Sequence, residues 1–407
     1  MSVAGLDTVI DAPAALPLDP VPTTTAGPAR RRLLMLDVGV PALIRVVQML
    51  VQLGVVAVLN RGSGETLGSR FTIWDAKLYA GIVRSGYPAR IDIAPSGSLI
   101  TGDRFAFSPL YPALAWLVHT VGAVNVMPAE AAVSCIAGCG IAVLVHLIVR
   151  DSTGSRRSGY VAAWLVGLLP MAVVLQMGYA ESLFAALTAA AVLAATKRRW
   201  VVAGALAFLA GAARPTGFVA TVVVVGIAFA SRREPGERRP GLRRIAVVGA
   251  LGLSSTPLFW LFVALRTGQL AGWFHVQKAG WGTRLDFGEQ TWHFVWSTLT
   301  HTQGAEMTPI LVVLLLVGAV LVVAMLTDRA DLPYLALGIC ALASVVGSTN
   351  YWHSKPRLLL AGALLVVPLA ARTTRTPLRR LIPVLLTGFV LSAWFGAYMV
   401  TGWHYGI

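Results

Sequence analysis

The sequence predicts an all-α polytopic membrane protein, and three observations carry that expectation. Of 407 residues, 56% are hydrophobic and only 13% charged, about half the charged share of an ordinary soluble domain. Mean hydropathy is +0.72. Apolar stretches near the roughly 20 residues that a helical span requires recur from Val40 to Val400. In lipid the backbone must satisfy its hydrogen bonds within each segment, so these stretches are helices.

Residues 1–32 contain no apolar run and end in Arg30, Arg31 and Arg32. They read as a disordered cytoplasmic tail. A secretory leader would instead place its basic residues before a short apolar core and a cleavage site after it. Residues 33–407 read as a single transmembrane domain with about eleven spans of the length a bilayer demands. The first lies near 40–60. Six follow near 129–149, 158–176, 179–196, 200–213, 215–231 and 244–266. Four more lie near 308–327, 333–348, 357–371 and 381–401. Residues 61–128 form a long first external loop and 267–307 a second. The apolar stretch 109–124 is short, carries Pro109 and Pro112, and has Gly122 near its end. It is expected as a helix lying at the outer interface.

The distribution of charge sets the topology. With the N-terminus inside, cytoplasmic segments hold 20 Lys and Arg and external ones 12, with Arg45 inside the first span. This is the asymmetry of the positive-inside rule. It also accounts for the net charge of +15, so nucleic acid is not expected as a partner. Cys135 and Cys139 share one helix and Cys340 is remote, which implies no disulfide framework. No His, Cys or acidic cluster has metal-ligand spacing, and no pattern asks for a cofactor.

Charged residues at the membrane are costly and usually functional. On the external side they gather in four groups. The first holds Trp74, Asp75, Lys77, Tyr79, Arg84 and Tyr87, with Asp75 and Tyr79 four apart and so on one helix face. The second runs from Asp103 and Arg104 through Phe107 to Pro112. The third contains Trp273, Gln277, Lys278, Trp281 and Arg284. The fourth contains Trp352, His353, Lys355 and Arg357. Glu181 and Arg214 stand at two further outer helix ends. Three of the four lysines, Lys77, Lys278 and Lys355, fall on the side that the charge rule disfavours. Carboxylates with tryptophans and tyrosines suit a sugar, and Arg and Lys beside them suit a phosphate. Nucleotide sugars are cytosolic, so an external transferase needs a donor carried by a lipid. Each group also has a plainer interpretation: Asp75 paired with Lys77 or Arg84, Asp103 with Arg104, Arg214 snorkelling to the interface, and the tryptophans forming an interfacial belt.

The order of these segments resembles the PIG-V family of mannosyltransferases, within the C-type glycosyltransferase superfamily. The resemblance rests on Trp74-Asp75, Tyr79, Gly86-Tyr87, Asp103 and the run Ala106-Phe107-Ser108-Pro109-Leu110-Tyr111-Pro112. Tyr179-Ala-Glu181-Ser182, Arg214-Pro215-Thr216-Gly217, Trp281 to Arg284 and Ser354-Lys355-Pro356-Arg357 follow in order. Ser108 departs from the family, which usually has Phe there, and Asp103 stands where Glu is frequent. The resemblance implies a C-type fold in the plasma membrane, with the active site extracytoplasmic. It implies transfer of a hexose, mannose by family, from a polyprenyl-phosphate sugar to a hydroxyl of a glycolipid, glycan or protein, with inversion. Asp75 would be the catalytic base and Asp103 its assistant. Trp74, Lys77, Tyr79, Tyr87, Glu181, Arg214, Lys278, Trp281, His353, Lys355 and Arg357 would bind substrate, with Arg214, Lys355 and Arg357 on the leaving phosphate. The alternative class is a transporter or flippase for a glycolipid, which would place charges through the bilayer midplane and show inverted repeats. A non-catalytic scaffold would leave the acid and aromatic pattern of the first loop unexplained.

Overall fold

The chain alternates between two ends of a helical bundle, and the loops that bear its polar motifs gather at one of them. The computed structural model describes residues 32–33, 35–232, 239–301, 307–325, 332–349 and 351–403. The tail expected over 1–32 lies, apart from Arg32, outside the described residues.

Helix α1 (Met35–Leu59) opens with a π turn and leads to the first loop. There α2 (Leu67–Phe71), α3 (Asp75–Ser85), a hairpin of β1 (Asp92–Ile93) and β2 (Leu99–Thr101), and α4 (Leu110–Val121) follow. With 12 residues, α4 is about 18 Å long at the usual rise. That is shorter than the roughly 30 Å of a bilayer's hydrocarbon core, as the helices Trp200–Ala213 and Phe218–Ala230 also are. Next come α5 (Val126–Thr153), α6 (Arg156–Val166), α7 (Glu181–Thr196), α8 (Trp200–Ala213), α9 (Phe218–Ala230) and α10 (Leu242–Thr267). The second loop holds α11 (Gly272–Trp281), β3 (Arg284–Leu285) and α12 (Glu289–Thr300). The chain ends with α13 (Thr308–Met325), α14 (Leu332–Val346), strand β4 (Ser348–Thr349), α15 (Trp352–Arg375) and α16 (Leu378–Thr401). Strand β4 pairs antiparallel with β3, tying the second loop to the approach to α15.

Helices α1, α5, α10, α15 and α16 are long and apolar enough to cross a membrane. Each of the eleven stretches expected as a span carries helix, but one is not continuous. Over 158–176 the chain breaks after Val166 and resumes as a 3-10 helix, Ala172–Gln176. Pro170 lies in the break; proline lacks an N–H and clashes with the preceding turn. The carbonyls this exposes are met from outside the segment. Gln48 Nε2 donates to Trp164 O at 2.7 Å, Gln52 Nε2 to Gly167 O at 3.5 Å and Arg45 Nη2 to Ala172 O at 3.2 Å. Ser392 Oγ donates to Leu169 O at 2.8 Å. Arg45, Gln48 and Gln52 lie three, four and seven residues apart on one face of α1, and all three are buried. The charge inside the first span thus serves as a backbone cap.

The helices are unequal, and this creates a recess. Lys197 Nζ lies 3.3 Å from Asp151 Oδ2, which sets the ends of α5 and α7 level at the basic end of the bundle. From there α5 runs back 25 residues to Val126 and α7 only 16 to Glu181. At 1.5 Å per residue, Glu181 then stops roughly 10–15 Å below the start of α5. The 14-residue α8 and 13-residue α9, joined at Arg214, are also short. The first loop and α11 rise around this sunken floor.

Candidate functional site

Asp75 is the first residue of α3, and its position is set by the segment before it. Trp74 caps the helix with φ 55 and ψ −119, a left-handed backbone that a bulky side chain adopts only under constraint. That constraint is visible. Tyr179 Oη donates to Ile73 O at 3.0 Å, and Gly178 N donates to Phe71 O at 3.3 Å. The same short segment, Gly178 to Glu181, therefore fixes the entry to α3 and begins α7.

Four charges follow from this arrangement. Arg357 Nη2 lies 2.7 Å from Asp75 Oδ2, and its Nε lies 3.3 Å from Glu181 Oε1. Arg214 Nη1 pairs with the same Glu181 oxygen. The chain Asp75–Arg357–Glu181–Arg214 sums to zero, so the guanidinium groups are held without an excess of buried charge. The Arg357 guanidinium also lies over the Tyr179 ring, 4.9 Å from its centroid. Arg214 is presented by a turn that only small residues allow: a Cβ on Gly217 would run into the backbone of Gly211.

Asp75, Arg214 and Arg357 line one cavity of about 240 Å³. Tyr79, Phe107 and Trp281 form its aromatic wall. The Tyr79 ring meets Phe107 edge-on at 4.8 Å, and Phe107 meets Trp281 at 5.6 Å. Thr216, Trp273, Gln277, Thr283, Ser344 and Ser354 add polar groups, and Val219, Ala341, Val345 and Ala361 an apolar side. Arg357 Nη1, Trp273 Nε1 and Thr216 Oγ1, all on lining residues, are buried without a hydrogen-bond partner. Such donors carry a desolvation cost that a polar ligand relieves.

The site residues expected from sequence divide into two sets. Asp75, Tyr79, Arg214, Trp281 and Arg357 line the cavity, and Glu181 joins its two arginines. The others lie outside this lining. Asp103 Oδ1 accepts from Arg104 N at 2.9 Å. Trp74 is 47% exposed, and Lys77 and Lys278 are exposed. Tyr87 donates to Phe107 O at 2.7 Å and stacks on Phe105, and burial pushes its phenol above the usual value. His353 stacks on Tyr351 at 5.3 Å. Lys355 is fully buried; its Nζ donates to Val345 O at 2.6 Å and Ser348 O at 3.0 Å, and it lies 4.0 Å over the Trp352 ring. It ties the approach to α15 together, whereas Arg357, two residues on, enters the cavity. Sequence reasoning missed the α14 wall; Ser344, in the otherwise apolar last turn of α14, and Ser348, just beyond it in β4, were its signal.

A floor of short helices, an acid heading a first-loop helix, and two arginines opposite it, from the α8–α9 turn and the start of α15, make up the site. The chain is similar in structure to the apo form of the oligosaccharyltransferase of Archaeoglobus fulgidus, with TM-score 0.50 and 12% sequence identity, over 88% of this chain and 55% of that one. It is also similar to a structure of archaeal oligosaccharyltransferase AglB from the same organism in complex with an inhibitory peptide and a dolichol-phosphate, with TM-score 0.43, 12% identity and the same coverage, 88% and 55%. The chain thus spans about half the length of the structures it matches, and at this identity the likeness is one of fold. No family model matches the chain, and no curated protein matches it by sequence.

Proposed function

We propose that the chain is a membrane glycosyltransferase that transfers a hexose from a polyprenyl-phosphate sugar to an acceptor hydroxyl on the extracytoplasmic side of the plasma membrane. The N-terminus is cytoplasmic in this assignment. The observation that carries it is the joint presence of the Asp75 carboxylate and the Arg214 and Arg357 guanidinium groups in one aromatic-walled cavity. Aromatic faces and a carboxylate suit a sugar, and guanidinium groups match phosphate oxygens.

In this mechanism the acceptor oxygen attacks the anomeric carbon and Asp75 takes its proton. The bond from that carbon to the phosphate oxygen breaks, and the electron pair leaves with polyprenyl phosphate. Arg214 and Arg357 stabilise the charge that develops on the leaving group. Attack opposite the leaving group inverts the centre, and the transition state is oxocarbenium-like. Glu181 positions the two arginines. The first-loop motif makes mannose the favoured sugar, and the acceptor a glycolipid, glycan or protein.

Two observations weigh against a transporter. The residues expected to contact substrate collect at one end of the bundle, and Arg45, the charge within the first span, is occupied by Ala172 O and Gln52. The deciding experiment uses purified protein in liposomes with labelled polyprenyl-phosphate mannose and a mixed glycolipid acceptor pool. Transfer is expected with the unaltered chain and its loss with Asp75→Asn, at equal expression and monodispersity. Full transfer by Asp75→Asn would overturn the assignment of the base. Movement of the labelled lipid between leaflets without covalent product would favour transport.

A further inference from the structure

A second cavity, of about 430 Å³, lies at the basic end of the bundle, remote from Asp75 and open on its side. Its walls are one face of α6, through Tyr160 and Trp164, and one face of α16, through Leu378, Ile382 and Leu385. These α16 residues sit three and four apart, so they form one stripe about 10 Å long. Trp164 Nε1 donates to Leu385 O at 3.4 Å and closes the inner end. Arg157 stands at the other end, beside the start of α16, where its Nη2 donates to Thr376 O. Arg157 Nε is buried without a hydrogen-bond partner.

The charge around that end is one-sided. Arg375, Arg379 and Arg380 are exposed at the turn into α16. The nearby carboxylate, Asp37, is already engaged by Arg150 at 2.7 Å and Arg156 at 2.9 Å. The cavity is therefore apolar along its length and cationic at its mouth, against α16, a helix long and apolar enough to cross a membrane. We propose that it binds an anionic phospholipid, with one acyl chain along the Leu378–Leu385 stripe and the headgroup phosphate against Arg157, Arg379 and Arg380. Charge complementarity selects the headgroup, since basic residues at the end of a span attract anionic lipid. The apolar groove selects a chain over a free anion. This site lies at the opposite end of the bundle from the cavity that holds Asp75, and it stands whether or not the transferase assignment does.

Native mass spectrometry of the full-length protein in detergent tests it, with phosphatidylglycerol and phosphatidylcholine of identical chains titrated in parallel. Retention of phosphatidylglycerol about tenfold above phosphatidylcholine is expected. Arg379→Gln/Arg380→Gln, at exposed positions, should bring it to the phosphatidylcholine level. Arg157→Gln should do the same; if that variant fails to fold, the double variant decides. Ile382→Trp, which fills the groove, should remove both lipids. Equal retention of the two lipids by the unaltered chain overturns the proposal. So does undiminished phosphatidylglycerol in the double variant, or its displacement by millimolar inorganic phosphate.

Discussion

Arg357 Nη2 meets Asp75 Oδ2 at 2.7 Å, so the head of the first-loop helix and the start of α15 share one ion pair at the cavity. The same guanidinium reaches Glu181 through Nε, and its Nη1 is left without a partner. One arginine therefore orients the acid and offers a donor to a ligand.

Replacing Arg357 separates these roles. Arg357→Ala leaves the half-buried Asp75 without its ion-pair partner and the buried Glu181 with Arg214 alone, and loss of about 3 kcal/mol of stability is expected. Arg357→Lys keeps the charge but loses the planar fork, so it should fold while transfer falls about 10²-fold, the scale of losing one oxyanion donor. Thermal unfolding in detergent together with steady-state transfer checks both; a lysine variant with normal kcat would show that the fork is dispensable.

The turn that carries Arg214 makes a second prediction. Because a Cβ on Gly217 meets the backbone of Gly211, Gly217→Ala must displace the start of α9 and with it Arg214. Transfer should drop strongly, while Gly241→Ala, where a Cβ meets nothing within 4 Å, should leave it unchanged. Equal activity in the two variants would remove the argument from close approach.

Two lysines from neighbouring motifs should behave oppositely. Lys355→Met abandons the carbonyls of Val345 and Ser348 and should lower stability by about 1–3 kcal/mol, with activity lost in proportion to folded protein. Lys278→Ala, at an exposed position outside the cavity, should change stability by less than about 0.5 kcal/mol. A large kcat defect at full stability in Lys355→Met would return that ammonium to the reaction.

Arg45 offers a fourth test. Arg45→Leu removes the side-chain donor to the Ala172 carbonyl, and Gln48→Leu removes the one to Trp164 O, which keeps Gly167 N. Each should cost about 0.5–1.5 kcal/mol, read as a lower unfolding temperature. No change in either would mean that the break after α6 holds without these side chains.

Helix positions were readable because runs of Leu, Val and Ala carry hydropathy regardless of detail. For the same reason the break after Val166 was hidden: Leu168 and Leu169 keep the run apolar, although Gly167 and Pro170 were present to mark it. In the site, Asp75, Glu181, Arg214 and Arg357 were readable as charges at helix ends in apolar surroundings. Nothing local distinguished Arg357 from Lys355, which share a motif; the carbonyls that capture the lysine come from Val345 and Ser348, and their approach is set by tertiary structure. The α14 wall was silent for a related reason, since small residues such as Ala341 look the same facing a cavity or a neighbouring helix.

In the transferase proposed above, the shortness of α7 has a consequence for which acceptors are admitted. A hydroxyl that is to meet Asp75 must be lowered past the rim formed by the first loop and α11. A terminal sugar on a slender stem, or an extended flexible chain, makes that descent easily. A hydroxyl held flush on a broad folded surface is kept away by the rim itself, so depth sorts acceptors before any side chain touches them.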